Sequence, residues 1–308
     1  MVPTDSSEVL HDFSPRFRVY KGGRVERFRE IASIPAFPSG DPKTGIRSKD
    51  TVVAMDTGVS VRLFVPPIKN LNKKLPLLIY IHGGAFCLQS AFSSVFHKYV
   101  SSLASEANVI AVSVEYRLAP EHPIPTCYDD TWDVIRWVFS HAGSQGPETW
   151  LNLYAAFDRV FIAGDSAGAN IAHQMVIRST LDHDDLINVL ALVLVHPFFG
   201  DDEPDKLWMF LCPDNSGTND TRLNPAADPA QLLSLGCKKM LICLAENDHL
   251  KDRGVTYHEA LKKSGWEGVV EVFETEGEGH VFHLFNQDSE RAVALLKRVA
   301  KFIKLTCA

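Results

Sequence analysis

Apolar and polar residues follow two different periods along this chain, and the change of period divides it. Near the N-terminus the apolar runs are short and interrupted by turn residues. Arg18-Val19-Tyr20 and Val25-Glu26-Arg27-Phe28 flank Gly22-Gly23, and residues 51–54 and 59–65 flank Thr57-Gly58; both patterns predict β-hairpins. Residues 1–15 read as a loose arm, and 35–44 as a connector broken up by Pro35, Pro38, Gly40 and Pro42. From residue 75 onward, continuous apolar runs alternate with segments of helical period. Buried strands are predicted at 75–81, 109–114, 160–163, 190–195, 240–245 and 269–273. Helices are predicted at 93–107, 128–141, 255–263 and 289–303, the last with Ala292, Leu295, Leu296, Val299 and Ile303 on one face. Strands alternating with helices imply right-handed crossovers and a doubly wound, mostly parallel α/β sheet. The alternation breaks over residues 198–236, which carry Trp208, Phe210, Leu211 and several prolines and glycines. That segment is predicted to lie over the C-terminal edge of the sheet, where open α/β folds bind ligands. With no repeat and no linker, the chain is expected to be one domain over 1–308, capped by its N-terminal arm (1–45) and the mid-chain insertion (198–236).

Composition adds exclusions. Apolar residues make up 45% and charged residues 22% of the 308 positions, ordinary for a globular protein with a large core. A net charge of −7 and the lack of any basic run argue against nucleic acid or an anionic membrane surface as partner. Residues 1–13 are polar and acidic, with no apolar leader core, so a cytoplasmic location is expected. The longest apolar run, 189–195, is far too short for a bilayer. Six scattered cysteines without a CxxC or Cys/His cluster read as reduced thiols. No HExxH, Walker loop or dinucleotide-type glycine fingerprint is present, so neither metal nor cofactor is expected. Nothing in the sequence speaks to oligomeric state.

The chemistry concentrates where apolar runs end. The run Val160-Phe161-Ile162-Ala163 leads into Gly164-Asp165-Ser166-Ala167-Gly168, and a small-residue helix pattern follows at once. This predicts a strand, a sharp turn and a helix with Ser166 at the apex, the glycines allowing the two backbones to approach. A nucleophilic serine needs a base, a group to orient it and oxyanion donors, each after a strand at the same edge of the sheet. The run 75–81 ends in His82-Gly83-Gly84-Ala85-Phe86, a loop of the type that supplies oxyanion donors. Gly84 and Ala85, with Gly83 as a further candidate, are expected to join the Ala167 N–H; His82 is read as structural. Gly279-His280-Val281-Phe282-His283 follows the last strand, and His280 beside its glycine is preferred as base over His283 in its apolar surroundings. Glu246-Asn247-Asp248 follows the penultimate strand, and Asp248 is preferred over Asp252, which suits a helix first turn. The order Ser166…Asp248…His280 is that of α/β-hydrolases. Phe86, Cys87, Phe198, Phe199, Trp208, Phe210 and Phe282 are candidates for the pocket wall. The expected partner is a small-molecule ester.

These motifs, with Tyr116-Arg117-Leu118-Ala119-Pro120-Glu121-His122-Pro123 and the segment 18–28, together resemble the plant carboxylesterases of the hormone-sensitive-lipase group of α/β-hydrolases. The resemblance covers nearly the whole chain and implies a capped α/β-hydrolase with esterase activity on small acyl esters. It also implies structural roles for Arg117 and Glu121, a buried arginine needing an acidic partner. Ala85 departs from the glycine usual in the family, and 200–207 is shorter than the family's cap, implying a differently shaped mouth. Related gibberellin receptors lack the histidine at the position of His280, and the legume 2-hydroxyisoflavanone dehydratases carry threonine where this chain has Ser166. Both residues therefore favour ester hydrolysis over hormone sensing, elimination or cyclisation.

Overall fold

The structure, a computed structural model, describes residues 8–29, 31–70, 72–182 and 186–307; the first seven residues of the expected N-terminal arm lie outside them. In chain order the elements are β1 (Val9–Phe13), β2 (Phe17–Tyr20), β3 (Val25–Arg27), β4 (Arg47–Val52), β5 (Ser60–Val65), β6 (Leu75–Ile81), α1 (Ser94–Ala107) and β7 (Ile110–Glu115). Then follow α2 (Thr126–Phe139), α3 (Thr149–Tyr154), β8 (Ala155–Asp165), α4 (Ala167–Leu181), β9 (Ala191–Val195), α5 (Lys206–Leu211) and α6 (Pro229–Leu233). The chain closes with β10 (Lys239–Ala245), α7 (Lys251–Lys263), β11 (Val269–Thr275), α8 (Phe282–Phe285) and α9 (Glu290–Thr306).

Eight strands form the main sheet in the order β11-β10-β9-β8-β6-β7-β5-β4. It is parallel from β11 to β7, and the β4–β5 hairpin adds an antiparallel edge. Successive side chains of a strand point to opposite faces, so a strand covered on both sides reads as an unbroken apolar run. In β6, Leu77, Ile79 and Ile81 pack into one core and Leu78 and Tyr80 into the other; β8 and β10 divide the same way. Helices α2, α4 and α7 cover the first face, through residues such as Trp132, Met175 and Tyr257. Helices α1 and α9 cover the second, through Tyr99, Leu103, Leu295 and Phe302. Ser93 and Ser289 cap these two helices, accepting from the amides of Phe96 and Ala292.

Several boundaries differ from the sequence expectation for identifiable reasons. β8 begins at Ala155 rather than 160, because the ladder to β6 jumps from Pro76↔Ala156 to Leu77↔Val160 and Phe157, Asp158 and Arg159 between them bulge out of register. The arm expected to be loose contains β1, held to β2 by backbone pairing although its side chains are mostly exposed. The insertion carries α5, α6 and two 3-10 turns at Gly217–Asn219 and Pro225–Ala227. Phe210 of α5 packs its ring at a tilt against His11, Phe13 and Phe17, so the arm and the insertion touch. Arg117 pairs with Asp130 of α2 at 2.7 Å, while Glu121 takes Arg27 of β3 instead; the two are anchored, but to other partners. All six cysteines are free thiols. Among the described residues no helix is long and apolar enough to cross a membrane.

Candidate active site

β8 ends at Asp165 and α4 begins at Ala167, leaving Ser166 alone in the turn at φ 52°, ψ −120°. That conformation is costly for a residue with a side chain and persists only where its surroundings over-determine it. Here the Ser166 amide donates to Val195 O at 2.9 Å, and its carbonyl accepts from the amides of Ala169, Asn170 and Phe198. The turn closes tightly: a Cβ at Gly164 would lie 2.3 Å from Gly168 O, and one at Gly168 only 2.1 Å from Ile81 O. Only glycine fits at either position.

Two loops at the same edge of the sheet bring side chains to this turn. His280, after β11, places Nε2 2.9 Å from Ser166 Oγ and Nδ1 2.8 Å from Asp248 Oδ2. With the carboxylate on Nδ1, that nitrogen carries the proton and Nε2 is free to accept from the hydroxyl. Asp248, after β10, is nearly buried, and its Oδ1 accepts from Leu250 N at 2.9 Å. Burial pushes its pKa up, but the His280 hydrogen bond and charge and the Leu250 amide outweigh this and hold it below the usual value. Asp252 is exposed on the first turn of α7, and His283 is buried with neither ring nitrogen hydrogen-bonded, its ring edge-on to Tyr99.

The loop after β6 supplies the fourth side. Gly84, Ala85 and Phe86 all have left-handed φ, and a Cβ on Gly84 would fall 2.2 Å from Leu88 O. The backbone thereby turns Gly84 and Ala85 into the cavity that also holds Ser166. Gly83 does not join them as a donor: its amide is committed to Asp165 Oδ1 at 3.1 Å. Ala167 opens α4, so its amide is one of those with no partner inside the helix. His82 is fully buried, with Nδ1 2.7 Å from Gly83 O and its ring stacked on Tyr116. Burial takes its pKa down to about 4, leaving the ring neutral.

Two further residues shape the site. Asp165, the variable residue between Gly164 and the serine, accepts from Tyr80 Oη at 2.7 Å as well as from Gly83, pinning the oxyanion-type loop to the nucleophile strand. Burial pushes its carboxyl up to about 6. His196, after β9, has Nδ1 accepting from the Val281 amide at 3.0 Å and so holds the loop that carries His280. Nothing in its own neighbourhood (Val195-His196-Pro197) marks this, because the contact spans 85 positions. His196, Asp248 and His280 offer ligand atoms within 4.8 Å of one another. Each is already engaged, His196 with an amide and the other two with each other, so a cation would have to break these bonds.

The cavity over Ser166 has a volume of about 310 Å³. Of the expected wall residues only Phe198 lines it. Phe86 and Trp208 are packed edge-on in the core, Cys87 is wholly buried, and Phe199 lies against Tyr257. Phe210 is taken up by the arm, and Phe282 packs beside His196. Phe86, Phe199 and Trp208 share one cause: a large aromatic buries most area in the core and so withdraws from the cavity surface. The wall comes instead from Leu88, Phe96, Val281, Leu284 and Phe285, and from Pro15, Arg16, Arg29 and Ile31 of the N-terminal segment.

A strained serine between a strand and a helix, an imidazole and carboxylate in hydrogen-bond sequence with it, and a sheet of this order are the parts of one fold family. The family described as the alpha/beta hydrolase fold matches residues 78–284. The chain belongs to the α/β-hydrolase family. Within it, the chain is 43% identical to probable carboxylesterase 1 of Arabidopsis thaliana, covering 97% of this chain and 98% of that protein. It is 40% identical to a 2-hydroxyisoflavanone dehydratase of Glycine max, over 97% and 99%. Among solved structures, this α/β-hydrolase resembles a hyperthermophilic esterase from the archaeon Pyrobaculum calidifontis, with a TM-score of 0.68 and 26% identity over 85% of this chain and 86% of that one.

Proposed function

We propose that this α/β-hydrolase is a serine carboxylesterase that cleaves small acyl esters through an acyl-enzyme. The observation that carries the reading is the unbroken relay from Ser166 Oγ through His280 to Asp248, 2.9 and 2.8 Å per step, opening on a cavity. His280 Nε2 takes the hydroxyl proton as Ser166 Oγ bonds to the ester carbonyl carbon, and the carbonyl electron pair moves onto oxygen. The Gly84, Ala85 and Ala167 amides receive that oxyanion. Asp248 steadies the imidazolium, which returns the proton to the departing alcohol as its C–O bond breaks. A water deprotonated by His280 then attacks the acyl-serine, and Ser166 leaves with the proton as the carboxylic acid forms. No step calls for a cofactor or metal. We read the chain as one domain, with the arm (1–45) and the insertion (198–236) as its cap, acting in the cytoplasm in plant specialised or xenobiotic metabolism; the plant origin of the similar proteins supports the last point.

The similarity to a dehydratase gives elimination as a second reading. A fluorophosphonate probe tests both. Labelling of Ser166, with loss of at least about a thousandfold in aryl-ester turnover in Ser166→Ala, is the result expected of hydrolysis. A Ser166→Ala protein with near-normal ester turnover removes the serine from the mechanism, and product formed by elimination in that variant favours the second reading.

A further inference from the structure

Arginines in this structure are almost always partnered. Of the fifteen in the sequence, thirteen have a carboxylate within ion-pair distance or lie over an aromatic ring. Among the described residues, the two with neither kind of partner are Arg16 and Arg29, and both line the cavity over Ser166. They come from opposite ends of the hairpin β2–β3, one just before it and one just after, and the Phe28 amide donating to Arg16 O at 3.2 Å ties those ends together. Two guanidinium-bearing residues, thirteen positions apart in the chain and brought to one cavity by the closing of a hairpin, therefore line an otherwise largely apolar pocket.

The chemistry of that wall is specific. A guanidinium presents a planar fork of donors that matches a carboxylate, and it cannot shed its proton to relieve an unpaired charge. Among the described residues neither has a counterion, in a protein whose net charge of −7 could supply acids readily. The acids nearest the nucleophile do not serve them: Asp248 is engaged by His280, and Asp165 by Tyr80 and Gly83. Of the two histidines on the cavity wall, His280 is engaged by Asp248 and Ser166, and His249 is held below its ordinary pKa by burial first and then by the charge of His280.

Resting on the esterase reading above, we propose that the substrate carries a carboxylate besides its scissile ester, and that Arg16 and Arg29 bind that carboxylate while Ser166 attacks the ester. The two arginines are specificity-determining residues that touch substrate away from the reacting atoms. Their effect is on discrimination between an anionic ester and its neutral counterpart.

Two matched pairs of esters test this, one pair for each side of the scissile bond: 4-acetoxybenzoate against its methyl ester, and monomethyl adipate against methyl hexanoate. The readout is the ratio of kcat/KM, anionic over neutral, in the wild type relative to Arg16→Gln/Arg29→Gln; comparing the two proteins cancels the intrinsic reactivity of each ester. In at least one pair the ratio is expected to fall about tenfold, the size of one charge-assisted hydrogen bond, mostly through KM. The wild-type ratio in that pair should also fall with added salt, as exposed charges are screened. Arg16→Glu/Arg29→Glu should lower it further, and fluorophosphonate labelling reports that each variant is folded. Ratios unchanged by both double variants in both pairs overturn the proposal while leaving the esterase reading intact. A wild-type protein that hydrolyses none of the four esters and is not labelled overturns the esterase reading itself.

Discussion

Asp165 touches no atom of the proposed reaction, yet its removal should cost the enzyme much of its rate. Its Oδ1 accepts from the Tyr80 hydroxyl at 2.7 Å and the Gly83 amide at 3.1 Å, and all three residues are buried. Asp165→Ala strands both donors, at about 1–3 kcal/mol each, so stability should drop by roughly 2–6 kcal/mol. It also releases the pin between the Gly83-Gly84-Ala85 loop and the strand that ends at Ser166. If the Gly84 or Ala85 amide then drifts off the oxyanion, the loss is that of one donor, on the order of 100–1000-fold in kcat. Asp165→Asn keeps an acceptor at Oδ1 and should retain activity within about tenfold of wild type, a loss near the 1.4 kcal/mol that separates a charge-assisted bond from a neutral one. The two variants also differ in how stability depends on pH. Burial raises the Asp165 carboxyl from 3.8 to about 6, so the folded protein carries a penalty of about 3 kcal/mol above pH 6 that vanishes as pH falls through 6 toward 3.8. Asparagine never ionises, so the Asn variant should gain on wild type as pH rises from 4 to 6. Urea unfolding at several pH values and kcat on an aryl ester, normalised to sites labelled by fluorophosphonate, measure both effects. A folded Asp165→Ala protein with wild-type kcat would refute the pinning argument.

Other outcomes follow from the same geometry. Asp248→Asn should lower kcat on the order of 10⁴-fold with the fold intact, because an amide at this place favours the wrong imidazole tautomer; the check is aryl-ester kinetics beside a circular dichroism melt. Gly168→Ala should abolish soluble, labellable protein, since its Cβ would sit 2.1 Å from Ile81 O and 2.6 Å from His82 O, and backbone cannot yield that far. The protein should be acid-labile. Burial lowers His82 and His97 to about 4 and His173 and His283 to about 3, and it pulls His196 down as well. The unfolded chain thus binds up to five more protons than the folded one between pH 6.5 and 4, while Asp165 and Glu115, raised to about 6 and 7, offset two. Near pH 5, where the unfolded histidines are almost fully protonated and these buried ones are not, the net of about three corresponds to a stability loss of about 4 kcal/mol per pH unit as pH falls, read as proton uptake on unfolding; a flat stability between pH 6.5 and 4.5 would contradict it.

What the sequence could and could not disclose divides along a physical line. The parallel strands were legible because each is covered on both faces and so reads as a continuous apolar run ending at a turn. The loops carrying Ser166, Asp248 and His280 were legible for a related reason: in a doubly wound sheet every strand's C-terminal end lies at one edge, so position along the chain implies position in space. Contacts between neighbouring strands were not legible. That Gly83 meets Asp165 depends on Ile81 standing opposite Gly164 in the β6–β8 ladder, and the ladder contains a bulge that no hydrophobic pattern announces. The cavity wall departs from the expected aromatics because aromaticity predicts burial rather than lining, and Phe86, Phe199 and Trp208 each pack in a core. The residues that do form the mouth, Pro15, Arg16, Arg29 and Ile31, sit in a segment with no period, where the only guide is which charges remain without a partner once the chain has folded. An unpaired arginine is invisible in a sequence and conspicuous in a structure. Substrate selection in this enzyme is accordingly the property least available to pattern and most exposed to a test of charge.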